Sequence, residues 1–287
     1  MKASVVIPAK NESGSIPSLI EKLLALPGLK EIIVVDDGST DGTGDIAEKL
    51  GARVIRHPYS KGNGAAIKSG ARAATGDILL FMDADGQHSP DDVHRLLQKL
   101  DQGFDMVVGA RQSGSQASVG RGFANKFYNW LASYMTGQKI EDLTSGFRAV
   151  RRVKFLQFLS LLPNGFSYPT TSTMAFFRAG YSVSYEPIHA GQREGKSHIK
   201  PIQDGIRFLL IIFKIGTLYS PLKLFVPLAF ALFSLGLGYY GYTFTTAGRF
   251  TNMSALLFTT SLTIFLVGLV SEQITALMYR DIGQGES

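Results

Sequence analysis

The chain has 287 residues, a formal net charge of +6 and no cysteine. That length holds one full α/β domain plus an appendage, and the lack of cysteine excludes a disulfide framework or a thiolate metal site. Every Lys and Arg except Arg249 and Arg280 precedes Leu224, so the basic excess lies in the first part of the chain, where it suits phosphates or an anionic membrane surface.

Met1-Lys2-Ala3-Ser4 leads straight into a β-branched run, Ser4 to Ile7, so no cleavable signal peptide is expected. Ile16, Leu19, Ile20, Leu23 and Leu24 follow at helical spacing until Pro27 and Gly28 stop the helix. Glu31 to Val35 reads as a second strand and Asp41 to Leu50 as the next helix. Arg53 to Ile55 is a third strand and Gly64 to Ala74 a third helix. Asp77 to Met82 is a fourth strand, Pro90 to Leu100 a fourth helix, and Phe104 to Gly109 a fifth strand. This alternation predicts an α/β fold, a mostly parallel sheet with helices on both faces. In such sheets ligands bind at the carboxyl ends of the strands.

The later chain changes character. Ile202 to Leu218 mixes Ile202, Ile206, Leu209, Leu210 and Phe213 with Asp204, Arg207 and Lys214, the pattern of an amphipathic helix in a membrane interface. Leu222 to Thr243 and Ser254 to Met278 are apolar runs, each long enough to span a bilayer core. A short connection around Ala247-Gly248-Arg249 makes them a hairpin. The expected domains are therefore 1–198, a cytosolic catalytic domain; 199–221, the interface helix; and 222–280, a transmembrane hairpin. One Arg in the connection, against Lys196, Lys200, Arg207, Lys214 and Lys223 before the first span, puts the large domain and the C-terminus in the cytoplasm. The plasma membrane of a prokaryote is the expected location. Gly236 and Gly238 are small residues that can support helix pairing, and hence a homo-oligomer.

Several strand ends carry chemistry. Asp83-Ala84-Asp85-Gly86-Gln87 follows the fourth strand. Two carboxylates spaced by two, with Gln87 as a neutral oxygen, suit Mg²⁺ or Mn²⁺ bridging to substrate phosphates. The alternative is that the acids cap the following helix, a task Ser89 or Asp91 can perform instead. After the second strand, Asp36-Asp37-Gly38-Ser39-Thr40-Asp41 offers carboxylates to a base N–H or ribose hydroxyls; a plain turn is the alternative. Pro8-Ala9-Lys10-Asn11-Glu12 follows the first strand. Lys61-Gly62-Asn63-Gly64 precedes a helix, so its N–H groups and Lys61 can meet a phosphate. Ile67 at the third small position argues against a dinucleotide fingerprint.

These motifs, with Leu143-Thr144-Ser145-Gly146-Phe147-Arg148, resemble glycosyltransferase family 2 and its GT-A fold over residues 3 to about 200. The resemblance implies that Asp37 and Glu12 bind the nucleoside, with Pro8 and Ala9 shaping its pocket. It implies that Asp85 and Gln87 take the metal, that Asp83 contacts ribose or metal, and that the reaction inverts the anomeric centre. The tail is similar to that of dolichyl-phosphate mannose synthases and bacterial polyprenyl-phosphate glycosyltransferases. The Gln-x-x-Arg-Trp motif of processive polysaccharide synthases is not found around the single tryptophan, Trp130.

The expected partners are a nucleotide-sugar donor, carrying UDP or GDP, and a polyprenyl or dolichyl monophosphate, with no nucleic acid. A phosphate monoester is largely dianionic at neutral pH and attacks without a strong base, so the acceptor needs cationic capture. Arg111, Arg121, Arg148, Arg193 and Lys196 are the candidates. Two other readings remain: a non-catalytic membrane-tethered module that binds a nucleotide sugar, or transfer to a hydroxyl on a glycan or protein. The second needs a base, for which Glu141 and Asp142 are candidates.

Overall fold

Runs of Val, Ile and Leu that are too short for helices become strands buried on both faces. The first part of the chain runs β1 (Ala3–Ala9), α1 (Ile16–Leu24), β2 (Leu29–Asp36), α2 (Thr43–Lys49), β3 (Arg53–Arg56), α3 (Asn63–Ala73), β4 (Ile78–Phe81), α4 (Asp92–Asp101) and β5 (Met106–Arg111). Then come α5 (Val119–Thr136), β6 (Arg148–Arg151), α6 (Arg152–Leu156), α7 (Tyr168–Arg178) and β7 (Val183–Ile188). The structure, a computed structural model, describes residues 2–111, 119–165, 167–189 and 216–280. It divides into two compact units, Met1–His198 and Ile199–Ser287.

The first unit is built on a 7-stranded mixed sheet of order β3-β2-β1-β4-β6-β5-β7. β6 is antiparallel to β4 and β5, while the other neighbouring pairs are parallel. Side chains alternate between faces along a strand. Val5 and Ile7 of β1, Val34 of β2 and Leu80 of β4 join Ile16 and Ile20 of α1, Ala47 of α2 and Leu96 of α4 in one buried cluster. On the opposite face α3 lies against β1 and β2, and Phe81 meets Phe155 of α6 and Tyr168 of α7, ring centroids 4.7 and 6.1 Å away. Helices therefore cover both faces. Because β6 runs backwards, it begins at the edge where its parallel neighbours end. That reversal delivers residues 142–147 to the edge that carries the motifs.

α2 starts at Thr43 rather than Asp41, because Asp41 turns back to accept the N–H and hydroxyl of Thr43 at 3.0 and 2.5 Å. The interface helix expected at 202–218 falls outside the described residues up to 215; residues 216–219 are helical.

The second unit contains α8 (Pro221–Ala247) and α9 (Asn252–Arg280), whose most apolar 18-residue stretches have mean hydropathy 1.7 and 2.1. Both are long and apolar enough to cross a membrane. Ser261 Oγ donates to Ala229 O at 2.8 Å across the pair. A side chain at Gly236 would meet Leu257 and Phe258, and one at Gly268 would meet Phe225. Gly236 is thus used inside the hairpin, whereas Gly238 faces open space. Glu272 Oε2 accepts the N–H of Leu222 at 3.4 Å, supplying a partner to an otherwise orphan donor at the start of α8. Outward, Phe230, Leu235, Phe244, Leu262 and Val270 are exposed, a surface suited to lipid rather than water.

Candidate active site

Chain reversals at the carboxyl edge of β1, β2 and β4 gather the motifs. The loops after β1 and β2 are stitched together. Asn11 N–H donates to Ser39 Oγ at 3.0 Å, Glu12 N–H to Thr43 Oγ1 at 2.9 Å, and Thr40 N–H to Asn11 Oδ1 at 2.9 Å. Glu12 accepts Ser15 Oγ at 2.9 Å. Pro8 and Ala9 end β1 opposite Val35 and Asp36.

Asp36 and Asp37 do different jobs. Asp36 accepts Ser39 N–H at 2.8 Å and closes its own turn. Asp37 reaches across to the loop before α3. Its Oδ1 lies 2.6 Å from His57 Nδ1 and accepts Lys61 N–H at 2.8 Å; its Oδ2 accepts Ser60 Oγ at 2.8 Å and Gly62 N–H at 2.9 Å. Burial alone would raise its pKa, but these donors outweigh it and hold the carboxyl down to about 2. His57 is anchored in turn by Ser69 Oγ, 2.9 Å from Nε2. A carboxylate offers about four acceptor sites, and all four are taken here, so Asp37 holds the 57–62 loop against the sheet edge.

The amino end of α3 corrects an expectation. Gly64 N–H donates to Gly165 O at 3.1 Å and Ala65 N–H to Asn164 O at 2.8 Å. Together with the Lys61 and Gly62 bonds to Asp37, these leave that helix start engaged with protein oxygens rather than open to phosphate. Lys61 keeps its ammonium over the Tyr59 ring, 5.8 Å from the centroid.

Asp83 and Asp85 follow β4. α4 begins at Asp92 with Asp91 at its cap position and no side-chain capping bond, so the acid pair does not serve as its cap. Asp83 is one-third exposed, and its Oδ2 lies 3.6 Å from His88 Nε2. The His88 ring stacks on Phe147, centroids 5.1 Å apart. A Cβ on Gly146 would stand 2.6 Å from Asp83 Oδ2, so only glycine lets the 142–147 turn close over this carboxylate. Asp85 Oδ1 accepts Gln87 N–H at 3.2 Å. Asp83, Asp85 and Gln87 are hard oxygen donors at one loop, a set that fits Mg²⁺ or Mn²⁺ with substrate oxygens completing the shell. Among the described residues no group of three or more His, Cys, Asp or Glu is placed to hold a metal ion.

The cations separate. Arg111, at the end of β5, forms a bidentate pair with Asp142: Nε to Oδ2 at 2.7 Å and Nη2 to Oδ1 at 2.9 Å, with Thr144 Oγ1 at 2.6 Å. Burial disfavours both charges, yet the pair outweighs it, raising Arg111 and lowering Asp142. Asp83 adds to the field on Arg111. Asp142, bound also by Thr144 and Ser145 N–H at 3.1 Å, is committed and low in pKa, unsuited to act as a base.

Arg148 is not a surface cation, contrary to the lipid-phosphate expectation. It is 0% exposed and lies between β4 and β5, where Nη1 donates to Pro169 O and Ser172 Oγ at 2.8 Å and to Thr173 Oγ1 at 3.1 Å, and Nη2 to Ser145 O. Burial lowers its pKa. Its role is to pin the turn that closes over Asp83, with Tyr168, whose hydroxyl donates to Gly146 O at 3.0 Å. Arg121 lies on α5 with its side chain outside the described residues, and Arg193 and Lys196 fall outside them altogether.

Sequence reasoning missed His57, His88 and the 163–165 loop, all of which join the site through contacts remote in sequence. A shallow cleft of about 280 Å³ at the amino edge, between Leu23, Leu29 and Arg53, carries none of the motifs.

The model of glycosyl transferase family 2 matches residues 4–158, and that of the GtrB C-terminal hairpin matches residues 220–277. The glycosyltransferase AglJ of Haloferax volcanii is 28% identical over 95% of this chain and 93% of its own. The undecaprenyl-phosphate 4-deoxy-4-formamido-L-arabinose transferase of Salmonella paratyphi A is 34% identical over 67% of this chain; the match spans 61% of that protein's length. A structure of glucosyl-3-phosphoglycerate synthase from Mycobacterium tuberculosis, in complex with Mn²⁺, uridine-diphosphate-glucose and phosphoglyceric acid, is 25% identical with a TM-score of 0.59, covering 74% of this chain and 79% of that one.

Proposed function

The chain belongs to glycosyl transferase family 2, and on that premise we propose that it moves a sugar from a UDP- or GDP-sugar to a polyprenyl monophosphate, with inversion, at the cytosolic face of a membrane. The observation that carries this reading is that one chain joins the Asp83-x-Asp85 site to an apolar hairpin of the GtrB type. The Salmonella relative acts, by its name, on undecaprenyl phosphate, and the mycobacterial neighbour was solved with Mn²⁺ and a UDP-sugar.

Asp83, Asp85 and Gln87 would hold a divalent cation, which when bound stabilises charge on the departing nucleoside diphosphate. Glu12 and Asp36 would meet the nucleoside beside β1 and β2, where Asp37 fixes the 57–62 loop. Arg111, clamped by Asp142 yet about a quarter exposed, sits where a second anion can approach. A phosphate acceptor needs little base catalysis, and Asp142 is bound up with Arg111, which weakens the hydroxyl-acceptor reading.

Purified protein with Mg²⁺ or Mn²⁺ should carry radiolabel from one nucleotide sugar into an organic-extractable lipid. Asp85→Ala should leave the label in water while unfolding at the same temperature as the parent. Wild-type protein that moves no label from any common nucleotide sugar would overturn the reading.

A further inference from the structure

We propose that His88 is a positioning residue of the metal loop, a buried imidazole that orients Asp83 towards the cation. A chain of contacts that starts in β5 sets its place. Gly109 of β5 donates its N–H to Phe147 O at 2.9 Å. A Cβ at Gly109 would stand 2.8 Å from the Phe147 ring, so only glycine lets that ring lie where it does. Phe147 is fully buried, and the His88 ring stacks on it with 19° between the planes. Packing therefore fixes the imidazole plane, and its Nε2 meets Asp83 Oδ2.

The partners decide where the ring carries its hydrogen. His88 Nδ1 is buried with no hydrogen-bond partner among the described residues. An ionised carboxylate only accepts, so Nε2 is the nitrogen whose hydrogen faces Asp83. At 3.6 Å the contact is longer than a hydrogen bond, and contacts of this kind shorten when ligands complete a site. Oδ2 is also the oxygen nearer the turn: a Cβ on Gly146 would stand 2.6 Å from it and 3.2 Å from Oδ1. Oδ2 thus faces the protein. Oδ1 is left for a cation or a ribose hydroxyl.

His88 is not itself a ligand. Its side chain is 5% exposed against 34% for Asp83, and among the described residues no three of His, Cys, Asp and Glu are placed around one ion. Asp85 is steadied by the N–H of Gln87; His88 Nε2 is the corresponding group at Asp83. Groups that orient a metal's ligands tune its affinity, and losing one costs about tenfold or more. This inference rests on the metal-assisted transfer proposed above and deepens it by naming a residue that sets the affinity for the ion.

Full-length protein in detergent, with UDP and separately with GDP, is titrated with Mn²⁺, and the free ion is followed by electron paramagnetic resonance. His88→Phe keeps a ring for the stack and removes the N–H, so its Kd for Mn²⁺ should rise about tenfold or more. His88→Gln sets an amide N–H in place of Nε2 and should recover most of the lost affinity. A parental Kd in His88→Phe would overturn the proposal. So would a His88→Gln as weak as His88→Phe, because packing alone then explains both, and so would parent protein that binds no Mn²⁺ with either nucleotide. Phe147→Leu keeps the N–H and frees the ring, which keeps the test open if His88→Phe fails to fold. It too should weaken Mn²⁺ binding, and a parental Kd there would overturn the fixed-plane argument. Sugar transfer to polyprenyl phosphate is assayed on the same preparations. Labelled lipid with a parental Kd in His88→Phe rejects the role of His88 alone. A raised Kd in that variant, with no labelled lipid from the parent, rejects the function while sparing the role.

Discussion

A methyl group at Gly146 would stand 2.6 Å from Asp83 Oδ2 and 3.2 Å from Oδ1, distances at which one partner must move. The turn is held from behind by Arg148 and Tyr168, so the carboxylate is the part that yields. Gly146→Ala should therefore lower kcat/KM for sugar transfer by roughly tenfold or more, because misplacing a site group by about an ångström is that costly. Thermal unfolding of the variant should fall by only a few degrees. Unchanged transfer would show that Asp83 is not required in its present position. Asp37 gives a different test. Its carboxyl is held at about 2 against an ordinary 3.8, so the folded state binds its proton less readily than the unfolded state does. The stabilisation is fully present above about pH 4 and disappears as pH falls through 2, and it amounts to about 2 kcal/mol. Asp37→Asn should lose that much at pH 6, and the gap in unfolding midpoint between variant and parent should shrink below about pH 4 and close only as pH falls through 2.

At the scale of elements, the sequence displays what local pattern can encode. β1, β2, β4 and β5 are buried on both faces and read as continuous apolar runs; α1 has four buried positions at helical spacing and lies where that spacing put it. β6 escaped, because Arg148-Ala149-Val150-Arg151 has no strand signature apart from its pairing with β4 and β5, some 70 and 40 residues away. α5 escaped because its apolar residues point in two directions, which blurs the helical period. The motif acids were visible from spacing, whereas the Asp37–His57 and Arg111–Asp142 partnerships, 20 and 31 residues apart, were not. In the hairpin, the same reasoning separates two glycines of like sequence context. A side chain at Gly268 would come within 2.7 Å of Phe225 Cβ, while one at Gly238 would meet nothing within 4 Å. Gly268→Leu should destabilise the pair by about 1–3 kcal/mol, the usual cost of overpacking. Gly238→Leu should be neutral. The readout is the fraction of protein that stays monodisperse in detergent after heating, and equal losses in the two variants would refute the packing assignment.

At the scale of the molecule, orientation across the membrane is decided by charge in the segments flanking the hairpin. The connection between α8 and α9 carries Arg249 alone, while Lys196, Lys200, Arg207, Lys214 and Lys223 precede the first span. Basic residues near span ends are retained on the cytoplasmic side. On the proposed function the donor is drawn from that side too, so the expectation is that the Asp83-x-Asp85 edge faces the cytoplasm. The chain has no cysteine, which makes the test direct. Phe250→Cys lies in the exposed connection, and Lys22→Cys is exposed on α1, away from every motif. In intact cells a membrane-impermeant maleimide should label the cysteine at 250 and spare that at 22; in inside-out vesicles the pattern should reverse. Labelling of both on the same side would mean that the two helices form a re-entrant or monotopic pair that never crosses. Labelling at 22 alone in intact cells would place the catalytic unit outside, away from its donor, and would remove the basis for a cytosolic transferase.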